Sequence, residues 1–393
     1  MAEPWLTIIG IGEDGLAGLP DASRSALERA EIVFGGPRHL SLAGAGARGR
    51  PWPVPFDIAP VLECRGRPVA VLASGDPFHF GAGGALAERL EPGEWCALPA
   101  PGVFSLAAAR LGWRLEQTAC LGLHAAPFTR LHPYLTPDCR IIATLRDGAA
   151  PVALAEWLTA QGAGAMRMAV LERLGGARER VRQARADSFG LVGIEAPVAV
   201  ALCGADLPRG FGLPNSPGRP EAEFAHDGQI TKSPIRALTL AALAPRRGAL
   251  LWDIGGGSGA VSVEWALAGG RACCIEPRPD RLANIRANIE TYGLSDRIEP
   301  IHGAVPGALA GLSEPDAVFV GGGASRELFE TLWPLLPASA RLVANAVTLE
   351  TESLLADLHA RHGGSLSRIE ISKPRRLAGC GAGTPPARWC NGR

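Results

Sequence analysis

The stretch LLWDIGGGSG at residues 250–259 is an apolar run that ends in an acid and passes directly into glycines. Such a run reads as a buried strand, and the glycines after it let the backbone turn tightly and approach a ligand closely. LTIIGIGEDG at residues 6–15 repeats the plan near the amino terminus. Two strand-to-glycine-loop units this far apart call for two sheets, each with its own core. A chain of 393 residues has room for two or three such cores.

Short apolar runs such as AEIVFGG, PVAVLASG and EWCALPA alternate with helical patterns such as GALAERL and FSLAAARLG. Further on, GALLWDIGG, GRACCIEP, PDAVFVGGG and ARLVANAV alternate with VSVEWALAG, RLANIRANIETYG and SRELFETLWPLL. This alternation predicts an α/β fold with parallel sheets covered by helices, in both halves. Residues 207–226, LPRGFGLPNSPGRPEAEFAH, are rich in proline and glycine and lack apolar periodicity, which is linker composition. The expected organisation is a domain at 1–210, a linker at 211–226 and a second domain at 227–393.

The 39 basic and 39 acidic residues cancel, which argues against a nucleic-acid partner. Only Lys232 and Lys373 are lysines. The arginines carry planar forks that suit paired recognition of carboxylates, so an acidic small molecule fits. The opening MAEPWLTIIG lacks the basic and long apolar regions of a signal peptide, and no run of about 18 apolar residues suggests a membrane span. A cytoplasmic protein without a membrane partner is expected. The nine cysteines show no C-x-x-C spacing and read as buried free thiols, with no metal site.

In the second glycine loop the strand delivers Asp253 to a carboxyl sheet end, and Gly255, Gly257 and Gly259 open the way to a helix beginning near residue 260. A helix N-terminus suits a phosphate or a carboxylate equally. Gly255, Gly257 and Ala260 satisfy the dinucleotide pattern G-x-G-x-x-A, and Glu276 lies about 20 residues on, as a ribose-binding acid does. On residues alone a nicotinamide enzyme stays open, and helix capping by Asp253 or a solvated strand end at Glu276 are the bland readings. The combination D-x-G-x-G-x-G at 253–259, Glu276 and VFVGGG resembles the Rossmann-like class I S-adenosylmethionine methyltransferases. That resemblance places Asp253, Gly255, Gly256, Gly257, Ser258 and Gly259 around the methionine part of the donor and Glu276 on the ribose hydroxyls. Gly303 and Ala304 stand where many relatives carry an acid at the adenine, implying backbone and apolar contact there.

The first loop, GIGEDG, is a weak dinucleotide site, since Glu31 precedes the next strand instead of ending it. VAVLASGDPFHFGAG (69–83) ends a strand in Ser74-Gly75-Asp76-Pro77, and LPAPGVFSLAAARLGW (98–113) ends another in a Pro-Gly turn with Ser105 at a helix start. Together these resemble the tetrapyrrole methylase family, in which such loops fold the donor into a cleft between two α/β subdomains. The resemblance assigns Gly10, Gly12, Gly75, Asp76, Pro77 and Ser105 to a donor site. Glu13 and Asp14 replace the usual Pro-Gly of the first loop.

The order of the two halves, with VFGGPRHL, VLERLGGARERV, HDGQITKSPIRALTLAALAPRR and RLVANAVTLET in place, resembles the fused, decarboxylating precorrin-6Y methyltransferase family of cobalamin synthesis. The resemblance implies two S-adenosylmethionine sites per chain and an acidic tetrapyrrole substrate. The expected reaction is methylation of bridging carbons 5 and 15 of precorrin-6B, with loss of carbon dioxide from an acetate arm. An activated donor and an enamine-like carbon need orientation more than covalent help, so no catalytic residue is assigned. A homo-oligomer is expected. The competing readings are a nicotinamide-dependent dehydrogenase and a non-catalytic donor-binding sensor. Thr231 and Lys232 are candidates for substrate contact, against simple helix capping. His79 reads as a packed or solvated histidine, His359 and His362 as a surface helix end, and ARERVRQAR (177–185) as a solvated helical face.

Overall fold

The computed structural model describes residues 4–371 and, beyond them, the backbone of strands at 374–377, 380–383 and 387–392. It divides into two units, one made of the residues up to Phe128 with Tyr134–Gly212, the other of Thr129–Pro133 with Leu213 onward.

The first unit opens with a five-stranded parallel sheet of β1 (Leu6–Ile11), β2 (Ile32–Gly35), β3 (Gly49–Pro51), β4 (Val69–Ser74) and β5 (Trp95–Leu98), in the order β3-β2-β4-β1-β5. Leu6 and Ile8 enter one core while Ile9 and Ile11 enter another on the opposite face. A strand buried on both faces reads as a continuous apolar run, which is how LTIIGI reads. Since β4, β1 and β5 are neighbours and parallel, the loops that follow them leave the same edge side by side.

The second sheet departs from the expected parallel pattern. It comprises β6 (Ala119–Gly122), β7 (Arg140–Leu145), β8 (Arg167–Glu172), β9 (Arg180–Arg185) and β10 (Val198–Cys203), in the order β6-β7-β10-β8-β9, and only β6 and β7 run parallel. The seven residues between β8 and β9 are too few for a helical crossover, so the pair closes as a hairpin. The arginine run expected on a helix is strand β9. Its alternate residues Arg180 and Arg182 both bond the carboxylate of Glu172, which is 1% exposed, and a period of two is what a strand presents.

The second unit is built on β11 (Leu250–Ile254), β12 (Arg271–Glu276), β13 (Ile298–His302), β14 (Ala317–Val320), β15 (Arg341–Ala346) and β16 (Leu366–Ile371); β17 (Pro374–Leu377) and β18 (Cys380–Gly383) pair separately, and β19 (Ala387–Gly392) joins the main sheet. The order β13-β12-β11-β14-β15-β19-β16 has five parallel strands, with β19 antiparallel to both its neighbours. The order reverses beside β11, which is where open α/β sheets leave a crevice at their carboxyl ends. Helices Ala260–Leu267 and Pro279–Thr291 pack on this sheet as their apolar spacing predicts.

The proline-rich stretch ahead of this sheet is not a free tether. Phe224 and Ile230 are core residues of the second unit, and Arg219 is 4% exposed with its guanidinium 5.3 Å from the centre of the Tyr292 ring. Asn288 bonds both backbone groups of Ala225 and the carbonyl of Ser258, fastening this stretch to the glycine loop. The absence of periodicity reflects irregular backbone whose polar groups are satisfied by buried side chains. Among the described residues seven cysteines are free; Cys273 and Cys274 are buried on opposite faces of β12, while the other five are partly exposed. No described helix is long and apolar enough to cross a membrane.

Candidate functional sites

A cavity of about 370 Å³ lies within the first unit, between the loops after β1, β4 and β5 and the second sheet. Three loops meet there backbone to backbone. A Cβ on Gly10 would fall 1.8 Å from the carbonyl oxygen of Gly75, and one on Gly75, itself at φ +58°, would fall 2.4 Å from Cα of Gly102. Only glycine permits that approach. Gly12, Gly75 and Asp76 line the cavity; Gly10 and Pro77 are buried behind it, and Ser105 is exposed outside the lining. One carboxylate oxygen of Asp76 accepts the N–H of Phe78 at 2.9 Å, which shapes the turn. His79 also lines the cavity, its ring stacked on Phe104 at 4.4 Å. Phe80 beside it holds a positive φ of 59°, a strained backbone position at the cavity wall.

A polar cluster outside the candidate residues stands at the edge of this cavity. Arg38, at the start of helix Pro37–Leu42, pairs with Glu13 and donates to Ser74 Oγ at 2.9 Å and His39 Nε2 at 2.8 Å. His39 Nε2 also lies 2.7 Å from Ser74 Oγ. Burial, aided by the Arg38 charge, pushes the His39 imidazole down to about 4, so the ring is neutral near pH 7. The signal that could have located this group is PRH directly after Gly35 and Gly36 at the end of β2, where a helix start meets the sheet edge.

In the second unit a cavity of about 360 Å³ opens at the carboxyl ends of β11, β12, β13 and β14. Gly255, Glu276, Gly303 and Ala304 line it together with Arg278, Arg281 and Gly322. Gly255, at φ +68°, approaches Gly322 so closely that a Cβ would lie 2.7 Å from its carbonyl oxygen. The Glu276 carboxylate accepts N–H groups from Gly257 at 2.8 Å and Arg278 at 3.0 Å. It is therefore 2% exposed yet aligned along the cavity wall. An acceptor-only group facing a cavity built of bare backbone fits a hydroxyl-bearing donor such as a ribose.

Asp253, Gly256, Gly257, Ser258 and Gly259 do not line this cavity. Asp253 is fully buried, accepting the N–H and hydroxyl of Ser262 at 3.2 and 2.6 Å, so it fixes the start of the helix that follows the loop. Burial pushes its carboxyl up to about 6. Thr231 and Lys232 lie outside the lining, Lys232 being exposed at the N-cap of helix Ser233–Leu243. His359 and His362 close helix Leu349–His362, with His362 against Trp333 at 4.0 Å. Among the described residues no group of three His, Cys, Asp or Glu side chains is placed to hold a metal ion.

Residues 6–189 match the model for tetrapyrrole (corrin/porphyrin) methylases, and residues 222–388 match that for a precorrin methyltransferase domain. A precorrin-6Y C(5,15)-methyltransferase (decarboxylating) from Sinorhizobium is 46% identical over 389 residues, spanning 96% of this chain and 93% of the relative. One of the same name from Mycobacterium tuberculosis is 37% identical over 371 residues, 93% of each chain. The crystal structure of the C-terminal domain of precorrin-6Y C5,15-methyltransferase from Rhodobacter capsulatus is 59% identical, covering 46% of this chain and all of that domain, with a TM-score of 0.45. With two loop-built cavities and relatives that match over more than nine tenths of its length, the chain belongs to the decarboxylating precorrin-6Y C(5,15)-methyltransferase family of S-adenosylmethionine-dependent enzymes.

Proposed function

We propose that this chain adds methyl groups to bridging carbons 5 and 15 of precorrin-6B and removes carbon dioxide from an acetate arm, giving precorrin-8 in cobalamin biosynthesis. The N-terminal unit serves carbon 5, and the C-terminal unit serves carbon 15 and the decarboxylation. The supporting observation is that each unit has its own cavity at the carboxyl ends of parallel strands, walled by glycine loops. Two S-adenosylmethionine sites per chain follow from this reading.

Bound there, the sulfonium donor supplies an activated methyl group. In the N-terminal unit the backbone of Gly12, Gly75 and Gly102 shapes the donor end, with Gly10 and Pro77 packed behind it. The apolar wall of Leu145, Leu171 and Val198 excludes water. In the C-terminal unit Glu276 accepts the ribose hydroxyls, while Gly303, Ala304 and Val305 offer backbone and apolar contact to the adenine. Asp253 and the loop from Gly256 to Gly259 support the site from behind. Thr231 and Lys232 are reserved for the acidic substrate. Holding a nucleophilic carbon in line with an activated methyl group supplies effective molarities of about 10⁵ M and more, and no protein nucleophile is required.

Calorimetry with S-adenosylhomocysteine tests the reading. Gly102 sits at φ −79° and Gly322 is not among the glycines at positive φ, and a Cβ at either would make only ordinary contacts at 3.6 Å or more, so tryptophan is compatible with the backbone at both and adds bulk to the wall. The full chain is expected to bind two equivalents, with Gly102→Trp and Gly322→Trp each removing a different one. A single equivalent, or loss of the same one in both variants, overturns the two-site reading.

A further inference from the structure

Glu13 stands where the first loop of tetrapyrrole methylases usually has proline, and its side chain is 10% exposed. It pairs with Arg38, and Arg173 Nη1 lies 3.7 Å from its second oxygen. Arg173 also pairs with Glu195 at 2.9 Å, and Arg178 reaches the same carboxylate at 3.6 Å. Three guanidiniums thus share two carboxylates, so Glu13 is drawn toward Arg173 as well as Arg38. His39 contributes no charge, being neutral.

Arg38 is the one guanidinium or ammonium among the described residues lining that cavity, whose other charged lining groups are Glu13 and Asp76. Its fork is fixed by Glu13, Ser74 and His39. Burial, and after it the neighbouring Arg173, lower its pKa. The facing wall of Leu145, Leu171, Leu174 and Val198 is apolar and suits the face of a macrocycle. An acidic tetrapyrrole laid on that wall brings its carboxylate arms to the rim.

We propose that Arg38, supported by Arg173, docks a carboxylate arm of the tetrapyrrole in the N-terminal cavity, and that Glu13 is a resident carboxylate which holds Arg38 ready and gives it up when the substrate arrives. The inference rests on the function proposed above for this unit. A bidentate guanidinium–carboxylate pair fixes the direction of the arm as well as its presence, so it sets which bridging carbon faces the donor. Glu13 is a positioning residue; Arg38 touches the substrate.

The test uses the full chain, precorrin-6B and a ¹³C-methyl donor, so that carbon 5 and carbon 15 products give separate signals. Arg38→Met is expected to raise the tetrapyrrole KM of the carbon-5 step at least tenfold, with S-adenosylhomocysteine affinity at both sites and the carbon-15 step within twofold of the parent. Arg38→Lys keeps the charge without the fork and should recover only part of the loss. Glu13→Gln removes the competing charge while keeping the shape, and should lower that KM. An unchanged KM in both Arg38 variants, a tenfold loss of S-adenosylhomocysteine affinity in them, or a raised KM in Glu13→Gln overturns the proposal. If Arg38→Met fails to fold, Arg38→Lys and Glu13→Gln decide. Absence of carbon-5 methylation by the parent protein would instead defeat the functional reading beneath it.

Discussion

Arg236 Nε and Glu264 Oε1 meet at 2.9 Å with side chains 0% and 2% exposed, one on the helix that leads into the second unit's sheet and the other on the helix after the glycine loop. The same carboxylate accepts the N–H groups of Gly218 and Arg219, and the guanidinium donates to the carbonyls of Thr231 and Arg219. One ion pair therefore fastens residues 218–231 to the helix that follows the glycine loop. Leaving one buried charge unpaired costs about 3 to 5 kcal/mol, whereas replacing both partners by apolar groups is far milder. Glu264→Ala should destabilise the second unit by about that amount in denaturant titrations, and Arg236→Met with Glu264→Leu by much less than the two single losses added. Additive losses would show that the pair is not coupled.

The burial of Phe224 and Arg219 predicts where the chain can be cut. A fragment beginning at residue 213 keeps the backbone partners of Glu264 and Asn288, while one beginning at 227 leaves both side chains with unmet hydrogen bonds and opens the core at Phe224. A buried phenylalanine alone is worth about 3 to 5 kcal/mol. Fragment 213–393 should give a cooperative thermal transition at a clearly higher temperature than 227–393. Equal transitions would mean that the proline-rich stretch is dispensable to the fold.

The paired loops and most strands were legible because they rest on local rules: an apolar run buried on both faces, and glycines where backbone meets backbone. Gly75 and Gly255 carry such signals within a few residues. What escaped the sequence depends on partners far along the chain. Strand β9 reads as a polar helix until Glu172 is known to bind both Arg180 and Arg182. The stretch around Arg219 reads as a tether until Glu264, 45 residues on, is found to bind its backbone. Arg38 and Glu13 are 25 residues apart and meet only because β1 and β2 flank β4. Asp253 was legible as an acid at a sheet end, but its turn toward Ser262 is a matter of packing.

That packing has a pH signature. The Asp253 carboxyl, desolvated and with one oxygen lacking a partner, titrates at about 6, above the value of about 3.9 for an unfolded aspartate. The native state binds this proton more tightly. Its contribution to stability is therefore present below about pH 4 and is lost as pH rises through about 6, a change of about 3 kcal/mol for two pKa units. Asp253→Asn does not titrate. In fragment 213–393 the melting temperature of the variant relative to the parent should rise between pH 4 and pH 7. A difference independent of pH would remove Asp253 as the source.

Decarboxylation should follow the C-terminal donor site. Loss of carbon dioxide from an acetate arm needs an electron sink, and methylation of a neighbouring bridging carbon turns a conjugated enamine into an iminium-like acceptor within the substrate itself. The protein's part is to orient the carboxylate and keep it poorly solvated. Glu276→Ala removes the carboxylate proposed to hold the donor's ribose, a charge-assisted contact worth about 1.5 to 3 kcal/mol, or roughly tenfold to a hundredfold in donor affinity. Methylation of carbon 15 and release of carbon dioxide should fall together in that variant at limiting donor. Asp76→Ala alters the turn after β4 in the other unit, and should leave carbon dioxide release intact while carbon-5 methylation declines. Product masses with labelled donor read both events. Normal decarboxylation by a Glu276 variant that no longer binds donor at its C-terminal site would separate the two reactions, and its loss in the Asp76 variant would move decarboxylation to the N-terminal unit.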